Sequence, residues 1–250
     1  MLKVLWTRFK QGHQTIKFPD KEPKICARFR GRTVINRKLC DNCFECVSGC
    51  PTAAISDKNG KVEIDLGRCI FCGTCTTACT KAAIVHSQEY RMATGKRWDL
   101  IVSDEEYKCA DALGKELRRI LGRSLKLRQV SAGGCNACEA DTNVLSTIGF
   151  DLSRFGIQFV ASPRHADGIL VTGPVTKNME LALRKTYDAI PAPKIVIATG
   201  ACAISGGLFR DHEETCAGVD HIFSVDLYIP GCPPHPITIL DGLLRIIGKR

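Results

Sequence analysis

Eight of the fifteen cysteines in this chain fall into two copies of one pattern. Cys40-x2-Cys43-x2-Cys46-x3-Cys50 recurs as Cys69-x2-Cys72-x2-Cys75-x3-Cys79, with every cysteine displaced by 29 residues. The likeness runs on past the cysteines. Pro51-Thr52-Ala53-Ala54-Ile55 becomes Thr80-Lys81-Ala82-Ala83-Ile84, with Thr80 where the first copy has Pro51. That change leaves all eight cysteines in place, so we read it as local to the backbone. An internal repeat declares architecture before any single element does. Each copy reads as a cysteine loop, a short helical turn and a strand. Val62-Glu63-Ile64-Asp65 and Ala83-Ile84-Val85-His86 alternate as short strands.

So many thiols invite a disulfide reading, but the N-terminus argues against export. Lys3, Arg8 and Lys10 have no apolar signal segment behind them. Cysteine-rich chains outside oxidising compartments more often ligate metal. The spacing supplies the chemistry. A cubane of iron and sulfide needs four soft thiolates converging on one body. Three cysteines two residues apart wrap it from a single loop, and the fourth must come from elsewhere. In two-cluster ferredoxins it comes from the other repeat. That rule assigns Cys40, Cys43, Cys46 and Cys79 to one 4Fe–4S cluster, and Cys69, Cys72, Cys75 and Cys50 to another. The exchange holds the two close together. Zinc also takes four cysteines, but it has no need of the same run twice.

Charge is concentrated at one end. Residues 1–39 carry eleven Lys and Arg against Asp20 and Glu22, a surplus equal to the formal +9 of the whole chain. Such an arm suits an anionic lipid surface or an acidic partner protein, the plainer reading being a solvated basic surface. Nucleic acid is set aside, because no groove-reading motif accompanies the charge. Bound clusters are net anions and would shrink the surplus. Hydrophobic residues at 44% and charged residues at 24% are ordinary for a globular chain. No stretch approaches the roughly 18 apolar residues needed to span a bilayer.

The second half alternates strands and helices, which implies a mostly parallel sheet. After a connector over residues 87–96, residues 99–103 form a short apolar run and residues 111–121 have helical periodicity. Strands are expected at residues 125–130, 168–171, 194–198 and 225–229, with helices over 178–189 and 236–247. The remaining cysteine motifs sit just beyond these strands. In open parallel sheets the loops at the strand carboxyl ends share one edge, where ligands bind. Cys135, Cys138, Cys202 and Cys232 are thereby expected together, as a third 4Fe–4S site. Neighbouring glycines let the backbone turn tightly and approach it. A phosphate cradle is the competing use of such loops, but no Walker or dinucleotide fingerprint is present.

The residues also carry two resemblances. Ala27-Arg28-Phe29-Arg30-Gly31-Arg32 followed by the cysteine runs resembles the two-cluster ferredoxin subunit of respiratory complex I and of membrane-bound hydrogenases. The opening residues 1–19, with Trp6, Phe9, Ile16 and Phe18 among basic residues, are similar to the same subunits. Residues 135–139, Gly173-Pro174-Val175-Thr176, residues 200–207 and Pro230-Gly231-Cys232-Pro233-Pro234 resemble the small subunit of energy-converting (group 4) nickel–iron hydrogenases, formate hydrogenlyase type, and its homologue, the 20 kDa cluster subunit of complex I. In those families the two parts are usually separate proteins; here they are joined. The Cys135-x-x-Cys138 spacing matches the hydrogenase side, since the complex I subunit has adjacent cysteines there.

The resemblance implies an α+β two-cluster ferredoxin domain followed by an α/β flavodoxin-like domain with a mostly parallel sheet. The expected divisions are a basic arm (1–34), the ferredoxin domain (35–90), a connector and helix (91–121) and the small-subunit-like domain (122–250). It implies an oxidoreductase subunit relaying electrons through three 4Fe–4S clusters, peripheral on the cytoplasmic face of the cell membrane. Its expected partners are a hydrogenase large subunit or complex I-like homologue holding any nickel, membrane subunits, and a ferredoxin or formate dehydrogenase as donor. A complex I-like or nickel-free relative acting on quinone or a sulfur compound is the alternative. No catalytic acid, base or nucleophile constellation stands apart from the cysteines. Glu139, beside a ligand position, is a candidate for proton movement or cluster tuning, against the plainer role of a hydrogen-bonded carboxylate. Cys26, Cys109 and Cys216 match no ligand position and read as small apolar fillers. His165, His212, His221 and His235 show no zinc spacing and read as structural or surface residues, with His235 bordering the Cys232 loop.

Overall fold

The computed structural model describes residues 2–103, 107–121 and 123–250. Met1 and Gly122, which open the expected arm and the expected second domain, lie outside the described residues. The chain begins with α1 (Leu2–Gln11), which buries none of its side chains. Leu2, Leu5, Trp6 and Phe9 stand exposed among Lys3, Arg8 and Lys10, Phe9 at 87%. The mixture of apolar and basic residues is visible in the sequence, but the helix is not. Beyond α1 the arm is held against the body. Thr15 Oγ1 donates to the Ile148 carbonyl, and Arg154 donates to the carbonyls of Ile16 and Phe18. Phe18 is buried edge-on to Tyr90. Glu22 accepts from Tyr90 Oη at 2.7 Å and from Arg91 at 2.9 Å.

The first unit is built twice over. β1 (Thr33–Ile35) leads into the first cysteine loop, which ends in α2 (Glu45–Ser48). β2 (Ile55–Lys58) and β3 (Lys61–Asp65) form an antiparallel hairpin. Its Asn59-Gly60 turn has positive φ at both residues, the conformation that a two-residue hairpin loop favours. The second loop follows, with α3 (Thr74–Ala78) and then β4 (Ile84–His86), which returns to pair antiparallel with β1. β5 (Ile101–Val102), inside the expected connector, adds a third strand beside β3. The repeat extends to backbone conformation. Asn42, Phe44 and Ala53 have φ of 56°, 60° and 47°, and their equivalents Phe71, Gly73 and Ala82 have 54°, 86° and 50°. Left-handed backbone at non-glycine residues is costly and persists where the surrounding structure over-determines it.

Gly31, between the arginines of the 27–32 motif, has a packing reason. Its amide donates to the Ser87 carbonyl, and a Cβ there would fall 2.3 Å from the Glu89 carbonyl oxygen. Only glycine allows these two backbones to lie so close.

The second unit is an α/β layer. After α4 (Lys115–Leu121) come β6 (Leu125–Ser131), α5 (Ala137–Val144), β7 (Ile157–Phe159), β8 (Gly168–Thr172), α6 (Lys177–Asp188), β9 (Ile195–Thr199), α7 (Ala201–Ser205), β10 (Leu227–Ile229) and α8 (Pro236–Ile246). The expected helix at 111–121 begins only at Lys115, because the Leu113 amide is committed to the Ile246 carbonyl. The sheet is fully parallel, in the order β10-β9-β8-β6-β7. With the strands of this sheet counted along the chain, that is the flavodoxin-like order 2-1-3-4-5, whose switch point lies between β6 and β8. β8 and β9 are buried at every residue and read as continuous apolar runs, as strands covered on both faces do. Edge strand β7, three residues long, has no counterpart among the strands expected from the sequence.

The two units share one core. Ile55, Ile64, Leu66, Phe71 and Ile84 belong to the same buried cluster as Val130, Ile169, Val196 and Ile204. The seam is also polar: Ser205 Oγ donates to the Gly67 carbonyl at 2.9 Å in a buried setting. Arg97 forks onto both carboxylate oxygens of Asp65, at 2.8 and 2.6 Å. No helix among the described residues is long and apolar enough to cross a membrane. Two variants test this division of the arm. Deleting residues 1–11 should leave the apparent melting temperature unchanged in a circular-dichroism melt. Phe18→Ala should lower it by several degrees, since emptying a buried phenylalanine site costs about 3–5 kcal/mol.

Candidate iron–sulfur centres

No cysteine of the fifteen is in a disulfide. Twelve of them converge in three groups of four, and the electrostatics of the thiols trace each group. Burial pushes the Cys46 thiol up, and Cys40, Cys43 and Cys79 add to the push. Burial raises the Cys69 thiol to about 12, with Cys75, Cys50 and Cys72 contributing. Burial raises Cys75 to about 11, helped by Cys72 and Cys50. Thus Cys79 sits with the first loop and Cys50 with the second. Each repeat sends its fourth cysteine across.

Local backbone makes this convergence. In both copies left-handed residues at equivalent positions bend the loop that carries the cysteines. Where the fourth cysteine leaves its helix, the chain doubles back and offers an N–H to the sulfur. Ala54 N donates to Cys50 Sγ at 3.2 Å, and Ala83 N donates to Cys79 Sγ at 3.3 Å. Phe71 N does the same for Cys69 at 3.3 Å. Such bonds stabilise negative charge on sulfur. At Cys72 burial pushes upward but is outweighed by hydrogen bonds from Thr74 and by Arg30, so this thiol lies below its ordinary value.

The third group forms at the carboxyl edge of the parallel sheet, beside its switch point. Cys135 lies in the loop after β6, Cys138 in the first turn of α5, Cys202 in α7 after β9, and Cys232 just beyond β10. Burial pushes Cys138 well above the ordinary thiol range, with Cys202, Glu139, Cys232 and Cys135 adding to it. Burial raises Cys202 to about 11, together with Cys232 and Cys135. The glycines here guard space around sulfur. A Cβ on Gly200 would lie 2.6 Å from Cys138 Sγ, and one on Gly207 would lie 2.9 Å from Cys202 Sγ. Gly173 and Gly134 touch backbone to backbone across the switch point.

The donors fit an iron–sulfur body. Buried thiols crowded together cannot ionise alone; a bound cation is what makes them thiolates. Among the described residues no group of three or more Cys, His, Asp or Glu closes tightly enough for a single metal ion. A cubane presents a separate iron to each thiolate and so asks for a wider set than one zinc does.

The groups neighbour one another. Cys46 contributes to the rise of Cys75, and Cys72 contributes, after burial and Cys135, to the rise of Cys232. The second pair comes from different units. A cavity of about 230 Å³ lies between the loops that carry them, lined by Phe29, Arg30, Phe71, Asp141, Cys232 and His235 among others. Sequence reasoning missed Arg30 as a neighbour of cysteine, although it lay within the motif that carried the resemblance.

The other candidates also have places. Glu139 is 6% exposed and accepts from Thr172 Oγ1 at 2.6 Å, the hydrogen-bonded carboxylate of the plainer reading. His235 caps α8, its Nδ1 accepting from Ile237 N, and its ring packs edge-on to Phe29. Cys109 and Cys216 are half-buried; the Cys216 thiol donates to Glu180 Oε2 at 3.5 Å, away from the third group. Cys26 is exposed on the arm, so the expectation of an apolar filler fails there. The arm crosses the surface at that point instead of entering the core.

Comparison with known proteins follows the same division. The 4Fe-4S dicluster domain model matches residues 39–84. The model described as NADH ubiquinone oxidoreductase, 20 Kd subunit, matches residues 135–246. A probable membrane-bound hydrogenase subunit of Pyrococcus furiosus is 42% identical over 54% of this chain and 80% of its own length. A formate hydrogenlyase subunit of Escherichia coli is 44% identical over 53% of this chain, which spans about half (52%) of that protein. A subunit of the NADH-quinone oxidoreductase of Desulfovibrio desulfuricans is 45% identical over 45% of this chain and 61% of its own length.

Gly200→Ala tests the third group. It places a methyl against Cys138 Sγ at a backbone φ of +90°. Anaerobic iron and sulfide analysis should show the loss of about one cluster's iron, with the eight cysteines of the repeat still loaded.

Proposed function

From the premise that this chain belongs to the family of the 20 Kd subunit of NADH ubiquinone oxidoreductase, we propose that it is the electron-relay subunit of a membrane-associated nickel–iron hydrogenase of the formate hydrogenlyase kind, holding three 4Fe–4S clusters. The observation that carries this reading is the neighbourhood of the cysteine groups: Cys46 beside Cys75, and the Cys69–Cys75 loop and the Cys232 loop lining one cavity. When bound, a 4Fe–4S cluster supplies a reversible one-electron couple, tuned by hydrogen bonds and burial.

The residues of the chain do the rest. Cys40, Cys43, Cys46 and Cys79 are the proposed ligands of the first cluster. Cys69, Cys72, Cys75 and Cys50 are those of the second, and Cys135, Cys138, Cys202 and Cys232 those of the third. The crossing of Cys50 and Cys79 keeps the first two groups at a short, fixed separation. The amides of Ala54, Phe71 and Ala83 stabilise charge on three of the sulfurs. Gly200 and Gly207 hold the third group open at the sheet edge, where Cys135 and Cys232 are exposed and a catalytic partner can approach. No nickel-binding cysteine pair remains in the chain, so nickel belongs to that partner. The unpartnered α1, basic on a surface that also exposes Trp6 and Phe9, supports peripheral attachment to anionic membrane or a membrane subunit.

Overall identity does not choose among the relatives, since 42%, 44% and 45% are nearly equal. The Cys135-x-x-Cys138 spacing supports the hydrogenase side. The match to an NADH-quinone oxidoreductase favours the second reading, the same relay ending in a nickel-free partner that acts on quinone or a sulfur compound.

Metal analysis of the native complex, purified anaerobically through this chain, separates the two readings. About twelve iron atoms per copy with nickel near one per complex is the expected result. The same iron without nickel moves the assignment to the second reading, and only about eight iron atoms removes the third cluster. Within the repeat, Cys50→Ser should damage the cluster of Cys69, Cys72 and Cys75. Loss of the signal from the Cys40 loop instead would overturn the crossed assignment. The truncation lacking residues 1–11 should retain its iron while less of the chain is recovered with membranes; unchanged recovery would refute attachment through α1.

A further inference from the structure

Among the described residues, Arg30 is the one strong base lining the cavity between the Cys69–Cys75 loop and the Cys232 loop. Its Nη1 donates to the carbonyls of Phe71 and Cys72, at 2.9 and 2.6 Å. The guanidinium also lies against Gly73, where a Cβ would stand 3.3 Å from Arg30 Cζ. It therefore holds the middle of the Cys69–Cys75 loop through three consecutive residues, and the φ of +86° at Gly73 belongs to the same turn. The backbone that carries Arg30 is fixed on both sides. Gly31 N donates to the Ser87 carbonyl and Arg32 N to the Glu89 carbonyl. On its far side Arg30 lines the cavity that also reaches Cys232 and His235. A cation there has the second cysteine group on one side and the third on the other.

We propose that Arg30 is a positioning residue that raises the reduction potential of the cluster held by Cys69, Cys72, Cys75 and Cys50, by setting a permanent positive charge against its loop on the side facing Cys232. The proposal rests on the ligand reading above. Adding an electron to a cluster adds negative charge, and a fixed guanidinium nearby favours the reduced state. Arginine suits the task because it stays charged at every relevant pH and one guanidinium nitrogen, Nη1, serves both carbonyls. Its exposed outer side lets water and salt screen part of the effect, so a change of about tenfold in the reduction equilibrium is expected. For a one-electron couple that is about 59 mV.

The test is an EPR-monitored redox titration of the full chain, purified anaerobically with its clusters. The relevant signal is the one that Cys72→Ser alters. Arg30→Gln keeps a hydrogen-bond donor and removes the charge; Arg30→Lys keeps the charge and loses the planar guanidinium. In Arg30→Gln the midpoint of that signal should fall by about 59 mV, while the cluster of the Cys40 loop stays where it was. Arg30→Lys should remain near the wild-type value. A wild-type potential in Arg30→Gln, or equal shifts in both variants, overturns the proposal. If Arg30→Gln loses that cluster's iron and Arg30→Lys keeps it, the role of the charge is upheld. Loss from both makes Arg30 a geometric clamp only. If Cys72→Ser alters no signal, the ligand reading itself fails and this proposal falls with it.

Discussion

Crowding sulfur against sulfur is the constraint on which this fold turns. An isolated thiol in a protein interior is harmless, but several crowded together cannot all ionise without a cation among them. The crowding is felt most at Cys46, Cys69 and Cys138, where burial adds to it. Around it stand the unusual backbone features: left-handed alanines and aromatics in the repeat, glycines whose missing Cβ leaves room for Cys138 and Cys202, and amides turned toward Cys50, Cys69 and Cys79. None of these helps ordinary packing. Each makes sense where a multi-iron body draws the thiolates together and repays the local strain. The hydrophobic core then has the simpler task of holding the loops where they converge.

The chain is an iron–sulfur oxidoreductase subunit that joins two modules in one polypeptide, a dicluster ferredoxin module and a small-subunit module. Its relatives carry names from hydrogenase, formate hydrogenlyase and NADH-quinone oxidoreductase complexes at nearly equal identity. Such a spread fits a module whose task ends at electron transfer. What it is wired to is decided by surfaces and partners, while the wire itself changes little. Fold alone does not assign function, and the terminus of the relay lies in the site it meets.

Much of this was legible in the residues. The offset of the two cysteine runs anticipated a unit built twice over, and the repeat persists even in the φ values of Asn42 and Phe71. The strands leading to Cys135 and Cys202 were readable for different reasons: β6 alternates along its length, and β9 is buried at every residue. What the sequence hid has physical reasons. β7 is only three residues, too short for periodicity to speak. Helix α1 leaves its apolar residues in the open, so no core-facing stripe announces it. The start of α4 was set by a tertiary bond from Leu113 to the Ile246 carbonyl. The approach of Cys72 to Cys232, and Arg30 with it, depends on how two units meet although the two cysteines stand 160 positions apart. No local pattern carries that information.

The meeting itself has a consequence. Gly67 and Ser205 are bonded within a core to which both units contribute, and a Cβ on Gly67 would touch Ile204 and Arg97. The second and third sulfur groups are thus joined through shared core and not through a linker. Parting them would expose apolar surface and break a buried hydrogen bond, so the surfaces where other subunits dock are the cheaper place to control when current flows.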